Sequence, residues 1–98
     1  MSENNGGDLS ARKAEEILVR LKKIAEENLE MKPERVAEIG LDTPIVEGLE
    51  LDSLAQVTLI TTVENDFGIV FEPEDREQMR TVRDLVHLIH SRSESRVP

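Results

Sequence analysis

One serine in the chain stands where its hydroxyl could be modified. Ser53 follows Asp52 and precedes Leu54, where an irregular stretch gives way to an apolar segment that runs to Phe67. Ser53 and Gln56, three positions later, have the form of a capping box, and Asp52 is an equally good N-cap residue. A hydroxyl in the first turn of a helix lies near free backbone N–H groups and the positive end of the helix dipole. The pattern therefore indicates a helix start that could accept a phosphate ester.

The chain has little else with which to catalyse a reaction. It has no cysteine, and its two histidines, His87 and His90, lie far along the sequence from Ser53. Ser53 is not in the Gly-x-Ser-x-Gly context of a hydrolase nucleophile, and there is no glycine-rich phosphate loop. The two histidines lack a third ligand, so we expect no metal site. The sequence predicts that the protein is not an enzyme by itself.

The charge of the chain limits its partners. Lys and Arg number 12 against 21 Asp and Glu, which gives a net charge of −9. This charge repels nucleic acid backbones and anionic membranes. All basic residues lie outside residues 36–75, where ten acidic residues surround Ser53. We therefore expect no nucleic acid partner, a monomer, and protein partners whose docking surfaces are basic.

Length and composition predict a single small domain with polar ends. The 98 residues suffice for one modest core, which must be aliphatic because Phe67 and Phe71 are the two aromatic residues. We expect a disordered tail over residues 1–8, a folded domain over 9–91 and a flexible tail over 92–98. The start of the chain lacks the features of a signal peptide, and no segment is long and apolar enough for membrane insertion. These features predict a cytoplasmic location.

Apolar residues at helical spacing predict an all-α fold with four helices. The second helix is rich in β-branched residues that would also suit a strand, but its spacing, its length and Gly68 at its end favour a helix. Thr81 and Asp84 have the form of a capping box at the start of the last helix. The helices are expected at about 9–30, 53–67, 73–79 and 81–91.

The first helix and the connection that follows it carry further local signals. Asp8 or Ser10 is expected to cap the first helix. Residues 31–52 form an unusually long connection for a small domain. Pro33 could open a helical turn over residues 33–39, and apolar side chains could anchor the rest of the connection to the helices. The predicted product is a four-helix bundle with a long first loop and a short third helix.

The residues around Ser53 resemble a known family. From Pro44 to Leu54 the chain reads Pro-Ile-Val-Glu-Gly-Leu-Glu-Leu-Asp-Ser-Leu, and the helix that follows ends at Asp-Phe-Gly. This stretch is similar to the acyl carrier protein family and its peptidyl carrier relatives, in which the serine of Asp-Ser-Leu carries 4'-phosphopantetheine. At lower specificity the resemblance extends from about Leu9 to Ile89. It implies a four-helix bundle of the acyl carrier protein type.

The resemblance also implies a function and a cofactor. Ser53 would be esterified by 4'-phosphopantetheine taken from coenzyme A, and the terminal thiol of that arm would hold acyl, polyketide or aminoacyl intermediates as thioesters. The implied partners are a phosphopantetheinyl transferase and acyl-transferring, condensing or ligase enzymes with basic docking surfaces. The protein would serve these enzymes as a carrier.

Several other residues gain expected roles from the resemblance. Asp52 and Leu54 match the motif and are expected to contact the loading enzyme, while Glu64 and Asp66 are expected to contact partner enzymes. Apolar side chains are expected to form the core, and some of them to line a cavity for the acyl chain. These are Val57, Ile60, Val63, Phe67, Phe71, Met79, Val82 and Val86.

The sequence departs from the carriers of general fatty acid synthesis just after the serine. Those carriers resemble one another in having acids along this part of the second helix, whereas this chain has Ala55, Gln56 and Thr58. We therefore expect a specialised acyl, polyketide or aminoacyl pathway. An alternative of a different class is an unmodified helical adaptor that presents the acidic face of the second and third helices to a basic protein partner.

Overall fold

The structure, a computed structural model, describes residues 10–96, with side chains over residues 10–93. The predicted disordered tail over residues 1–8 lies outside this range. Within it the predicted all-α class is confirmed, and no helix combines the length and apolar character that crossing a membrane requires. The helices are α1 (Ala11–Glu27), α2 (Pro33–Ala37), α3 (Ile45–Gly48), α4 (Ser53–Phe67), α5 (Pro73–Glu77) and α6 (Val82–Arg96).

The three long helices, α1, α4 and α6, enclose one aliphatic core. Val63 of α4 and Val86 of α6 are completely buried, and Ile89 of α6 is nearly so. Each such side chain contributes about 1.5–3 kcal/mol on burial, so the core is the main source of stability in the bundle. The buried apolar residues of the long helices are Ala14, Ile17, Leu21, Ile24, Ala25, Leu59, Val63, Val82, Leu85, Val86 and Ile89.

The first helix is shorter than predicted at both ends. Ser10 is its N-cap, as one of the two alternatives had it, and the Ser10 hydroxyl accepts a hydrogen bond from Lys13 N at 3.2 Å. The helix ends at Glu27, before the predicted end near residue 30. Glu30 has a φ of 57°, a left-handed conformation that cannot continue a right-handed helix.

The last two helices also end at other places than predicted. α5 stops at Glu77 and not at residue 79. α6 continues to Arg96, so the start of the predicted flexible tail over 92–98 is helical. The extra turns carry Arg92, which binds a buried carboxylate on α5 and so gives this end of α6 a tertiary contact. Residues 97 and 98 lie outside the described residues.

The inward face of α4 differs from the predicted one. Leu54 and Val57 are 75% and 60% exposed, whereas Leu59 and Val63 are buried. Val57, Ile60 and Val63, which were expected in the core, follow one another in steps of three residues, and each such step falls about 60° short of a full helical turn. Three steps separate Leu54 from Val63 by about half a turn, which places them on opposite sides of the helix. Val57 is therefore not a core residue.

Backbone hydrogen bonds tie the long connection to the start of α6. Ile45 N donates to Arg80 O at 2.8 Å, and Val82 N donates to Thr43 O at 2.9 Å. At the end of α3, a Cβ on Gly48 would lie 2.6 Å from Thr43 Cγ2, so this close approach requires a glycine. The connection is thus fixed on the bundle, and the start of α4 has a defined position relative to the other helices.

A buried ion pair holds α5 against α6. Asp75 is only 5% exposed, and Arg92 donates to both of its carboxylate oxygens, from Nε at 3.0 Å and from Nη2 at 2.9 Å. Glu72 N donates to the same carboxylate at 2.9 Å, and Glu72 and Asp75 form a capping box. Because the buried charge is paired in two-pronged geometry, this contact fixes both the position and the orientation of the short helix.

Candidate functional site at the start of α4

Asp52, and not Ser53, caps α4. Asp52 has an extended backbone, and its Oδ1 accepts a hydrogen bond from Ala55 N at 2.8 Å. The capping box expected between Ser53 and Gln56 does not form, because Ser53 is the first helical residue and not the N-cap; Gln56 Nε2 donates to Leu51 O at 3.2 Å. Ser53 is the first helical residue and is exposed, and its Oγ makes no hydrogen bond with any residue that the structure describes. The serine hydroxyl is therefore free for chemistry.

The segment before the serine is held on two sides. The side chains of Leu49 and Leu51 are buried, while Glu50 between them has a left-handed φ of 54°. Arg35 of α2 lies 3.4 Å from the Glu50 carboxylate through Nη1, and its Nη2 donates to Gly48 O at 3.3 Å. Sequence reasoning missed Arg35, since nothing in a local pattern signals a contact 15 residues further along the chain.

An open cavity of about 360 Å³ lies beside Ser53. Residues of α3, α4 and α5, with Leu51 and Met79 beside them, form its walls, which are more apolar than polar. A cavity of this size with a few polar groups is typical of a small-molecule binding site. Its lining residues are Ile45, Val46, Leu51, Ser53, Gln56, Val57, Leu59, Ile60, Thr61, Arg76 and Met79.

Three of the residues expected to line an acyl cavity do line this one. Val57, Ile60 and Met79 contribute to its wall. Phe67 lies elsewhere, with Arg20 above its ring at 5.6 Å from the centroid. The other expected residues are buried in the core and do not reach the cavity; they are Val63, Phe71, Val82 and Val86.

The two acidic residues expected to recognise partners make contacts within the chain. Glu64 Oε2 accepts a hydrogen bond from Phe71 N at 2.8 Å, which fixes the turn after α4. Asp66 forms an ion pair with Arg20 of α1. Both carboxylates thus have structural roles, and their predicted role in partner recognition stays a prediction.

Three exposed apolar side chains lie near the serine. Leu54 and Val57 lie on the exposed side of α4, and Val46 of α3 is 45% exposed. We call these three residues the apolar rim. Val46 and Val57 also line the cavity, so the rim is continuous with it. Large exposed apolar side chains grouped in this way mark surfaces that contact partners or ligands.

The start of α4 fits a phosphodiester on Ser53. The first backbone N–H groups of a helix have no acceptor within the helix, and the helix dipole favours negative charge at this end. Asp52 uses one of these groups, that of Ala55, and its carbonyl accepts from Gln56 N at 2.9 Å. The Ser53 hydroxyl stays exposed beside the cavity, so an attached arm would have a place to lie.

Comparison with known proteins gives the same interpretation. The family model described as a phosphopantetheine attachment site matches residues 19–89. An acyl carrier protein of Coprothermobacter proteolyticus is 38% identical over 77 residues, covering 79% of this chain and 90% of the relative. One from Thermosynechococcus vestitus is 34% identical over 77 residues, with 79% and 91% covered. The crystal structure of an acyl carrier protein from Thermotoga maritima superposes with a TM-score of 0.76 at 21% identity, covering 89% of this chain and 98% of that one.

A helical bundle with a free serine hydroxyl at a helix start, matched over most of its length by a phosphopantetheine attachment model, defines a carrier domain. The chain belongs to the acyl carrier protein family. Its relatives are carriers and not catalysts, and phosphopantetheine is the cofactor that the matched family attaches. Family membership implies a phosphopantetheinyl transferase and acyl-handling enzymes as partners.

Proposed function

We propose that Ser53 is the attachment residue, and that the chain carries acyl intermediates as thioesters on a 4'-phosphopantetheine arm. The observation that supports this most strongly is the capping of α4 by Asp52, which leaves the Ser53 hydroxyl exposed and without a hydrogen bond to the described residues. A serine that capped its own helix would have its Oγ engaged in a hydrogen bond with a backbone N–H, a contact that contributes about 1 kcal/mol to stability. Here the cap and the nucleophile are separate side chains.

The loading step transfers one group to this hydroxyl. Ser53 Oγ attacks the phosphorus of coenzyme A that bears the pantetheine, a new O–P bond forms, and the pyrophosphate bond to adenosine 3',5'-bisphosphate breaks. The serine proton passes to a base of the transferase. When bound, the arm supplies the thiol that holds the acyl group. The chain itself positions the hydroxyl, through the Asp52 cap and the contacts of Arg35 with Gly48 and Glu50.

We further propose that the carrier serves a specialised pathway. The part of α4 that follows Ser53 exposes the apolar side chains of Leu54 and Val57. The first acids along the helix, Glu64 and Asp66, are engaged with Phe71 and Arg20. Docking at this surface therefore relies on apolar contact more than on charge, which differs from the acid-lined second helix of carriers of general fatty acid synthesis. Acyl, polyketide and aminoacyl cargoes all remain within this proposal.

Intact mass spectrometry tests the attachment residue. The wild type, Ser53→Ala and Ser10→Ala are incubated with coenzyme A, Mg²⁺ and a phosphopantetheinyl transferase of broad specificity. Ser10 is the matched control, since it is a serine at the start of another helix. We expect one phosphopantetheine on the wild type and on Ser10→Ala, and none on Ser53→Ala.

Two results would contradict the proposal. Loading of Ser53→Ala would place the attachment at another hydroxyl. A folded wild type that gains no mass would support the adaptor interpretation, in which Ser53→Ala leaves partner binding intact. Circular dichroism of each variant shows whether it is folded, so a failure to load is not confused with a failure to fold.

A further inference from the structure

The cavity beside Ser53 contains a single charged group. Of the described residues that line it, Arg76 alone is charged, and the others are apolar apart from Ser53, Gln56 and Thr61. Within the described part of the chain no carboxylate lines the wall, although ten acids lie within residues 36–75. The cavity thus offers a positive charge within the most acidic part of the chain.

The guanidinium of Arg76 has no partner among the side chains described over residues 10–93. Four other arginines in the described range form ion pairs, whereas Arg12 and Arg80, like Arg76, form none; the pairs are Arg20 with Asp66, Arg35 with Glu50, Arg83 with Asp42 and Arg92 with Asp75. A protein with a large excess of acids has many carboxylates that could pair with an arginine. The lack of such a pair leaves the hydrogen-bond donors of Arg76 available to a ligand.

The position of Arg76 is fixed by its neighbour in sequence. Asp75 is buried and held by Arg92 and by Glu72 N, so the helix that carries Arg76 cannot turn freely. Met79, just after the same helix, lines the cavity as well. The backbone that carries Arg76 therefore has a defined position beside the cavity.

We propose that the cavity accepts an acyl group that bears a carboxylate, and that Arg76 pairs with this carboxylate. The inference rests on the proposed loading of Ser53. Apolar walls bind the methylene part of such a chain, while a planar guanidinium matches a carboxylate through two parallel hydrogen bonds. A chain without an anionic group would cover the guanidinium without pairing it, which is unfavourable. Arg76 is thus a specificity-determining residue for the cargo.

The same guanidinium could pair with another anion, the phosphodiester on Ser53. Both sources share the chemistry of an oxyanion, so the experiment needs arms that separate them. If the phosphodiester were the partner, Arg76 would matter as soon as the arm is attached. If the cargo is the partner, Arg76 matters only when the acyl group carries a carboxylate.

The test compares two cargoes of equal length. A broad-specificity transferase loads the wild type, Arg76→Gln and Arg80→Gln from coenzyme A, hexanoyl-coenzyme A or adipoyl-coenzyme A. The products are the pantetheine, hexanoyl and adipoyl forms of each protein. Intact mass confirms complete loading of each sample. Arg80→Gln is the matched control, because the substitution removes the same charge. Arg80 is also exposed, but it does not line the cavity.

The readout is how far the Tm of the adipoyl form exceeds that of the hexanoyl form. We expect this excess to be about 2–4 °C larger in the wild type than in Arg76→Gln. Arg80→Gln should behave as the wild type. An equal difference in the wild type and Arg76→Gln would overturn the inference. So would an effect of Arg76→Gln that is already complete in the pantetheine form, which would assign the guanidinium to the phosphodiester. If the wild type does not load at all, the mass spectrum shows that the proposed function itself has failed, and the inference fails with it.

Discussion

A shift of one residue decides which side chain at the start of α4 caps the helix and which keeps a free hydroxyl. Asp52 and Ser53 are both good N-cap residues, and the cap belongs to the residue with extended backbone just before the first helical one. Asp52 takes this position, with ψ near 180°, so Ser53 becomes the first helical residue. Its hydroxyl then makes no hydrogen bond with the amides that a cap would bind. A carrier needs this arrangement, since the reactive hydroxyl must stay free.

The capping box at the start of α6 is expected to make the stability of the fold depend on pH. Asp84 Oδ2 accepts from Thr81 N at 3.1 Å and from Arg80 N at 3.1 Å, and Asp84 N donates to Thr81 Oγ1 at 3.3 Å. The backbone hydrogen bond from Thr81 in particular holds the pKa of Asp84 below its ordinary value of 3.8, although partial burial opposes this. A pKa lowered by folding means that the ionised carboxylate stabilises the fold above the ordinary pKa. The contribution is lost as the pH falls through the lowered value.

We expect Asp84→Asn to be less stable than the wild type by about 0.3–1 kcal/mol at pH 7, since a negative charge near a helix start is favourable. The deficit should shrink as the pH falls below about 4 and disappear at still lower pH. Urea unfolding of both proteins at a series of pH values measures it. Because the other carboxylates titrate in both proteins, they cancel in the difference. A deficit that stays constant down to pH 2 would show that the Asp84 charge has no part in the effect.

At the scale of the elements, α5 depends on a contact with the end of α6. The short helix has five residues, too few to be stable alone. Its buried Asp75 receives hydrogen bonds from Arg92, which lies in the part of α6 beyond the predicted end. The wall of the cavity beside Ser53 thus depends on a side chain near the end of the chain.

We expect Arg92→Ala to lower the free energy of unfolding by about 2 kcal/mol or more. Removing one partner of a buried ion pair leaves the other charge buried without compensation, which costs about 3–5 kcal/mol when both partners are fully buried. The smaller value reflects the Arg92 side chain, which is 31% exposed, and the remaining hydrogen bond from Glu72 N. Urea unfolding at neutral pH measures the change.

The matched control is Arg83→Ala, on the same helix. Arg83 pairs with Asp42 at 2.9 Å, but both side chains are largely exposed, at 49% and 89%. Such surface pairs contribute about 0–1 kcal/mol. If Arg92→Ala costs no more than Arg83→Ala, the ion pair does not anchor α5, and the position of the cavity wall needs another explanation.

The elements show what the sequence could and could not predict. The limits of α4, the Gly68 cap and the capping box of Thr81 and Asp84 depend on neighbouring residues, so local patterns predicted them correctly. The face of α4 and the full length of α6 depend on tertiary contacts. Arg92 lies 17 residues from Asp75, and its polar surroundings in sequence gave no sign of a buried partner.

In the candidate site, too, the sequence predicted the residue with a local motif and missed those that depend on tertiary contacts. The proposal that Ser53 is the attachment residue comes from its motif, because Asp-Ser-Leu at a helix start is a local feature. Arg35 and Arg76 were missed, since one supports the approach to the serine from 15 residues away and the other reaches the cavity from a different helix. Residues that act through space and carry no local signature are the ones that the structure adds.

For the whole molecule, the excess of acids sets a general electrostatic cost. The chain has 21 acidic and 12 basic residues, and the acids are concentrated in residues 36–75, where no basic residue separates them. Like charges that folding brings together oppose the compact state. The ion pairs of Arg20, Arg35 and Arg83 join this acidic region to basic residues on α1, α2 and α6, and so offset part of the repulsion.

We expect stability to rise with salt, because screening weakens a repulsion that is larger in sum than the attraction of the exposed ion pairs. The Tm should increase by a few degrees between about 20 and about 200 mM NaCl, a range over which the Debye length falls from about 20 Å to less than 10 Å. Glu38→Lys is the matched variant, since Glu38 is exposed within the acidic region and the change lowers the net negative charge by two. It should be more stable than the wild type at low salt and show a smaller rise. A Tm that falls with added salt would mean that the attraction of the ion pairs outweighs the repulsion. The acids of residues 36–75 would then not destabilise the fold.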